Sequence, residues 1–159
     1  MAQLPAAERA RFLFRTDQGV IDAKTWRQGT ALLGAILVLL TAIWLVVAPF
    51  TQRDLAATPF FAWATIAAFV YLLFYAFTIL LIAISHYNLS AKRWRDRGRP
   101  AGLAGLLPFF ALLSGAAHWL QPRVAETLSY WYVAGLDALL VAIIIWNVAE
   151  LGFCGRRAD

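Results

Sequence analysis

Four long runs of apolar residues constrain what this sequence can fold into. They cover residues 30–50, 59–85, 101–120 and 130–151, and the first two contain no charged side chain. A helix needs about 20 apolar residues to cross the ~30 Å hydrocarbon core of a bilayer. Each run is long enough, so the sequence predicts an all-α, polytopic membrane protein with four transmembrane helices.

The composition agrees with a membrane environment and argues against a soluble domain. Hydrophobic residues make up 62% of the 159 residues and charged residues only 14%, against about 25% charged residues in soluble domains. A soluble domain of this size could not bury so much apolar surface. The net charge of +5 is carried in blocks between the apolar runs, which is typical of membrane proteins. We therefore predict no nucleic-acid partner.

The basic residues are distributed unequally between the two sides of the predicted bundle. Cytoplasmic loops of inner-membrane proteins carry an excess of Lys and Arg, so this distribution predicts a bacterial inner-membrane protein with both termini in the cytoplasm (N-in/C-in). The polar, basic start of the chain also leads us to expect an uncleaved anchor in place of a signal peptide. Twelve of the 14 basic residues fall on the predicted cytoplasmic side, namely Arg9, Arg11, Arg15, Lys24, Arg27, Lys92, Arg93, Arg95, Arg97, Arg99, Arg156 and Arg157, whereas Arg53 and Arg123 fall on the other.

The predicted organisation has three parts: a cytoplasmic or interfacial segment over residues 1–29, the four-helix transmembrane domain over 30–151, and a cytoplasmic tail over 152–159. In the first part, basic residues alternate with aromatic ones, a pattern that favours an interfacial segment on anionic lipid. A solvated tail is the alternative. Gly19 is suited to a turn, and Asp22 is suited to cap the first helix. The predicted interfacial residues are Arg11, Phe12, Phe14, Arg15 and Trp26.

A dense group of cations lies between the second and third apolar runs. Next to a membrane, such a group attracts anionic headgroups at about 1 kcal/mol per cation, so we predict a loop that sets the topology and binds lipid headgroups. Within it, Asp96 can pair with Arg93 or Arg99, and Gly98 permits the chain to reverse. The cations, hereafter the basic run, are Lys92, Arg93, Arg95, Arg97 and Arg99.

The stretch Arg93-Trp94-Arg95-Asp96-Arg97-Gly98-Arg99-Pro100, followed by an apolar helix with Leu107-Pro108, resembles the Arg-Leu-His-Asp-x-Gly-Arg-Ser signature of the YhaH/YhaI-type bacterial inner-membrane proteins. Phe12-Leu13-Phe14 and Gly19-Val20-Ile21 resemble the family's entry segment, and the likeness covers most of the chain. Arg93, Asp96, Gly98 and Arg99 match the signature, whereas Trp94, Arg95 and Pro100 replace its Leu, His and Ser. The arginines expected near Val20 and Ala23 are absent. The resemblance implies a small four-span protein and no established activity.

Polar residues inside the apolar runs are few. Asp137 lies within the fourth run, where a carboxylate is costly unless it faces the bundle interior, pairs or titrates. His118 is its nearest expected partner by depth. Glu150 is expected to meet Arg95, Arg97 or Lys24 at the cytoplasmic surface. Trp146 is expected to face a neighbouring helix, and Pro108 is expected to kink the third span.

Three classes of function remain open. The first is a non-catalytic structural or accessory subunit that packs against lipids, a larger membrane-protein complex or further copies of the chain. The second is a transport or channel component that uses Asp137, and the third is an enzyme at the lipid interface that uses Asp96 with Arg93 and Arg99. The sequence contains no recognisable catalytic motif, and its single cysteine, Cys154, offers neither a disulfide nor a metal cluster. We therefore favour the first class and predict no catalytic residue, cofactor or metal.

Overall fold

The structure is a computed structural model that describes residues 5–51, 62–124 and 129–155, and within these ranges every regular element is helical. This confirms the predicted all-α class. Arg53, Arg156, Arg157 and half of the predicted C-terminal tail (residues 156–159) lie outside the described residues. The five α-helices are α1 (Ala6–Phe14), α2 (Ala23–Val47), α3 (Trp63–Asp96), α4 (Leu106–Leu120) and α5 (Tyr130–Asn147). Three 3₁₀ turns (Ala48–Thr51, Ala101–Gly105 and Gln121–Arg123) flank these helices, and a π-helical turn (Val148–Phe153) follows α5.

Helices α2 to α5, with their flanking turns, are long and apolar enough to cross a membrane, which confirms the prediction of four spans. Their bounds differ from those predicted. The second span, α3, continues past residue 85 to Asp96 and carries the first part of the basic run. Lys and Arg are good helix formers and do not interrupt a helix. The four candidate spans are Ala23–Thr51, Trp63–Asp96, Ala101–Arg123 and Tyr130–Phe153.

Several helix ends follow from single residues. The Thr25 amide donates to Asp22 Oδ1 over 2.8 Å, which confirms Asp22 as the N-cap of α2. Gly19 and Gly98 have φ angles of +95° and +66°, the left-handed region that glycine enters without steric cost. Pro108 was expected in mid-helix, where it would kink the third span, but α4 begins at Leu106. Pro108 therefore lies in its first turn, where the amide that proline lacks would have no partner in the helix.

The chain divides into two compact units, Met1–Thr30 with Ile84–Asp159 and Ala31–Ala83. In the larger unit, apolar side chains of α1, of the residues around the start of α2, of the end of α3 and of the turns next to α4 and α5 form one buried cluster: Leu13, Ile21, Trp26, Leu89, Ala91, Trp94, Ala104 and Leu151. In the smaller unit, polar contacts join α2 to α3. Tyr71 donates to the Leu40 carbonyl over 2.7 Å, and the hydroxyls of Thr41 and Tyr75 lie 2.8 Å apart. Interhelical hydrogen bonds of this kind help helices to associate where hydrophobic burial gives no driving force.

Helices α2 and α3 approach closely at Gly29 in the larger unit. A Cβ atom at Gly29 would lie 2.8 Å from Leu89 Cδ2, and Leu89 is fully buried. We expect Gly29→Ala to lower the free energy of unfolding, because overpacking usually costs about 1–3 kcal/mol and helix propensity returns only up to about 1 kcal/mol. Gly34→Ala in the same helix is the matched control. It meets no neighbour within 4 Å and should gain up to about 1 kcal/mol from helix propensity. Unfolding temperatures of the two purified variants check this, and equal shifts would contradict it.

Candidate functional site

The basic run occupies the last turn of α3 and the short connection to α4, and it contacts both ends of the described chain. Lys92 and Arg95 are three residues apart and lie on one face of the helix, whereas Arg93 and Arg97 are four residues apart and lie on the next. The first pair contacts the segment around α1, and the second contacts the turn after α5. The end of one helix therefore holds two segments that are distant in sequence.

On the first face, Lys92 binds the C-terminal end of α1. Its ammonium group donates to the Leu13 carbonyl over 3.0 Å and to the Thr16 carbonyl, and it lies 5.0 Å from the centre of the Phe12 ring. Asn88, one turn earlier in α3, donates to the Phe14 carbonyl over 2.9 Å. The last carbonyls of a helix have no partner within it and carry partial negative charge. Lys92, on the neighbouring helix α3, supplies a charged hydrogen-bond donor to carbonyls at the end of α1.

Arg95 extends the first face to the turn after α1. It donates to the Asp17 carbonyl, and its guanidinium lies 3.0 Å from the Asp17 carboxylate. The hydrogen bond from Arg95 holds the pKa of Asp17 below its ordinary value of 3.8. This ion pair is partly exposed, with 35% and 47% of the two side chains accessible, so its contribution to stability is modest and sensitive to salt.

The Asp17 pair gives a pH dependence of known sign. A carboxyl group whose pKa is lower in the folded state contributes its stability above the pKa of the unfolded chain, and this contribution is lost as the pH falls through the folded pKa. We expect wild type to unfold at a higher temperature than Asp17→Asn at pH 7, and the two to converge below about pH 3.8. Unfolding temperatures from pH 7 to pH 3 check this, with Glu8→Gln as the control. A difference that does not change with pH would contradict it.

On the second face, Arg93 binds the turn that follows α5. Its Nε donates to the Leu151 carbonyl over 2.9 Å and one terminal nitrogen donates to the Cys154 carbonyl over 2.6 Å, while the other forms an ion pair with Asp96. All three directions of the guanidinium are thus used, which suits its planar fork of donors. The π-helical turn, wider than an α-helix, presents these carbonyls at the helix end.

Arg97 and Arg99 continue this face through Glu150. The Glu150 carboxylate lies 2.7 Å from Arg97 and 3.6 Å from Arg99. The expected contact between Glu150 and Arg97 is therefore present, and the expected pairing of Asp96 is with Arg93. Arg97 also donates to the Gly155 carbonyl over 3.0 Å. From α2, Arg27 donates to the Gly152 carbonyl over 2.6 Å. Arginines of α2 and of the basic run therefore both bind the turn after α5.

Two tryptophans lie beneath the basic run. Trp94, on α3, is fully buried and packs against Trp146 of α5 with ring centres 5.1 Å apart, as expected for a Trp146 that faces a neighbouring helix. Trp26, on α2, is 2% exposed and donates from Nε1 to the Ser90 hydroxyl over 3.1 Å. The rings of Trp26 and His86 form an edge-to-face pair with centres 6.3 Å apart. These contacts fix α2, α3 and α5 together at this end of the larger unit.

The structure corrects the expected surface placement of three residues. Lys92 and Arg93 were expected in a headgroup-binding loop, but they are 0% and 2% exposed and bind the protein's own carbonyls. Trp26 was expected at the interface and is buried. Of the other expected interfacial residues, Arg11 and Arg15 are exposed, whereas Phe12 and Phe14 pack partly against the core. Asp96 and Gly98 take the structural positions expected of them.

A second polar cluster joins α4 to α5. The Ser114 hydroxyl donates to one Asp137 carboxylate oxygen over 2.6 Å, and His118 Nε2 lies 2.9 Å from the other. The expected partnership of Asp137 with His118 is confirmed, and Ser114 joins them because it precedes His118 by one helical turn. The carboxylate lies between the other two groups, so His118 cannot take the proton of Ser114 as the base of a catalytic triad does. Nor do the described residues include a group of three His, Cys, Asp or Glu side chains that could hold a metal ion.

Comparisons with protein-family models, with curated proteins and with solved structures find no match to this chain. The two polar clusters must therefore be interpreted from their own geometry. The sequence did not predict that Lys92 and Arg93 bind carbonyls of the chain itself. The helical period could have indicated two different sets of partners, since it places Lys92 with Arg95 and Arg93 with Arg97 on separate faces.

Proposed function

We propose that this chain is a bacterial inner-membrane protein with a structural or accessory role, which packs its four helices against other membrane proteins or lipids. One observation carries the proposal. In the most apolar stretch of each candidate span, only 6–11% of the residues are buried within the chain. A surface this apolar must be covered by lipid or by further helices, and spans with so few buried residues are well suited to packing in a larger assembly.

The burial and the internal contacts of Arg93, in the basic run, support a non-catalytic role. An enzyme that used Asp96 with Arg93 as an anion site would need the guanidinium to be available to substrate. Instead, Arg93 is 2% exposed and its donors are taken by Leu151, Cys154 and Asp96. As a finer part of this proposal, we relate the chain to the YhaH/YhaI-type proteins on the signature residues that match, namely Arg93, Asp96, Gly98 and Arg99.

The decisive experiment is purification of the tagged full-length protein in mild detergent, followed by mass spectrometry. We expect a stoichiometric membrane partner or a defined oligomer of the chain. Gly115→Leu sharpens the test, because a Cβ at this exposed α4 position meets nothing within 4 Å in the chain. Loss of the partner with an unchanged unfolding temperature would place α4 in the interface, with Gly102→Leu as the matched control. A protein that is always recovered as a lone monomer would overturn the accessory role.

The proposed orientation, with both termini in the cytoplasm, is supported by the unequal distribution of basic residues. A fluorescent protein that is active only in the cytoplasm should be active when it is fused after Asp159. A phosphatase that is active only in the periplasm should be inactive at the same position. The matched fusion in the loop between the first two spans, next to Arg53, should give the opposite pair of results. A periplasmic signal at Asp159 would contradict the orientation.

A transport component is the second candidate, favoured by the cluster of Ser114, His118 and Asp137. An ionisable group within a membrane span is commonly part of an ion or proton path. Asp137→Asn keeps the shape of the side chain but removes its charge and replaces one of its two acceptor oxygens with a donor nitrogen. If the chain conducts protons, reconstituted vesicles should lose proton flux in this variant while the unfolding temperature stays within a few degrees of wild type. Wild-type vesicles that show no flux would remove this candidate.

A further inference from the structure

One face of α1 forms an open groove with cations along one side. The groove has a volume of about 710 Å³ and is lined by Ala7, Ala10, Arg11, Phe14, Arg15 and Thr16. Most of these residues are three or four positions apart and therefore share one face of the helix. Leu13 lies on another face and is buried in the core of the larger unit. The helix is thus fixed through Leu13 while the face with the groove stays open.

The charges of the groove differ from those of the basic run. Lys92, Arg93, Arg95 and Arg97 are bound to carbonyls and carboxylates of the chain itself. Arg11 and Arg15 are exposed, and no ion pair joins either of them to a carboxylate among residues 5–51, 62–124 and 129–155. The two arginines of the groove are therefore available to an external anion, whereas these four cations of the basic run are held by the chain itself.

We propose that this groove binds the phosphate group of an anionic phospholipid. The guanidinium groups of Arg11 and Arg15, one helical turn apart, would hold the phosphate from two sides, since guanidinium matches phosphate oxygens in geometry and charge. The small residues Ala7 and Ala10, with the ring of Phe14, provide an apolar floor for the glycerol and the first acyl carbons.

The fixed position of α1 distinguishes this groove from a basic tail. A disordered basic segment loses conformational entropy when it becomes ordered on binding. Here the carbonyls of Leu13, Phe14 and Thr16 are already bound by Lys92 and Asn88, so the two arginines keep their spacing before lipid arrives. A site that is ordered in advance loses less entropy on binding. This inference rests on the proposed membrane location, because the groove needs a bilayer surface beside it.

Native mass spectrometry of the detergent-solubilised full-length protein tests the inference. The probes are phosphatidylglycerol, phosphatidylcholine and inorganic phosphate. We expect wild type to retain phosphatidylglycerol in preference to phosphatidylcholine, and the double variant Arg11→Gln/Arg15→Gln to bind phosphatidylglycerol roughly 30-fold more weakly, about five- to sixfold per arginine. Arg9→Gln/Lys24→Gln is the matched control, since it removes the same charge from two exposed residues outside the groove, and it should change binding less than threefold.

Three results would overturn the site. The first is equal loss of binding in the two double variants, which would indicate a general effect of net charge. The second is unchanged binding in Arg11→Gln/Arg15→Gln. The third is displacement of phosphatidylglycerol by inorganic phosphate at equal concentration, which would make the groove a free-anion site. Failure here is separable from failure of the proposed function, because partner recovery from the same Arg11→Gln/Arg15→Gln preparation reports on the accessory role independently of lipid binding.

Discussion

Replacement of Arg93 by glutamine should lower the unfolding temperature of the purified protein by roughly 10 °C. Removal of one member of a buried charged network costs about 3–5 kcal/mol, and each kcal/mol shifts the midpoint by about 2–4 °C in a chain of this size. Arg93 is 2% exposed and binds the carbonyls of Leu151 and Cys154 together with the Asp96 carboxylate. Glutamine is too short and too poor in donors to reach all three, so the turn after α5 should separate from α3.

Arg99→Gln is the matched control for this prediction. Arg99 belongs to the same basic run, but its side chain is 38% exposed and lies 3.6 Å from Glu150. Loss of such an exposed pair costs about 0–1 kcal/mol. Arg93→Lys adds a second comparison, because it keeps the charge without the planar fork, and it should lie between the two. If Arg93→Gln and Arg99→Gln gave equal shifts, net charge rather than the contacts of Arg93 would determine stability.

The contrast between these arginines also shows what the sequence could and could not predict. Hydropathy identified the four spans because lipid selects long apolar helices whatever their neighbours are. Local chemistry identified Asp22 as a cap and Gly19 and Gly98 as turns, since each of these depends on a few adjacent residues. The partnership of Asp137 with His118 could be predicted because depth in the membrane restricted the choice of partner.

The internal role of the basic run could not be predicted in this way. The long-range acceptors of Lys92 lie 76 and 79 residues away in sequence, at Thr16 and Leu13, and those of Arg93 lie 58 and 61 residues away. All four are main-chain carbonyls, which every residue possesses, so no residue type marks them. A cation at the end of a membrane helix can therefore meet lipid or cap another helix with the same sequence pattern.

Replacement of Lys92 by methionine should release α1 while the rest of the larger unit stays folded. Methionine matches the length of lysine and can remain in the apolar surroundings, but it cannot donate to the carbonyls of Leu13 and Thr16. Hydrogen bonds from charged donors contribute about 1.5–3 kcal/mol each. Release of a segment is measured by hydrogen exchange, and we expect the amides of Ala6–Phe14 to exchange roughly 100-fold faster in Lys92→Met than in wild type.

Exchange in the turn after α5 makes this prediction specific, because the two faces of α3 hold separate segments. In Lys92→Met the amides of Val148–Phe153 should keep their wild-type protection, whereas in Arg93→Gln they should lose it first. Lys24→Met removes an exposed lysine and should leave both segments unchanged. If Lys92→Met opened both segments equally, α1 and the C-terminal turn would be parts of one cooperative unit. The basic run would then act as a single network rather than as two independent attachments.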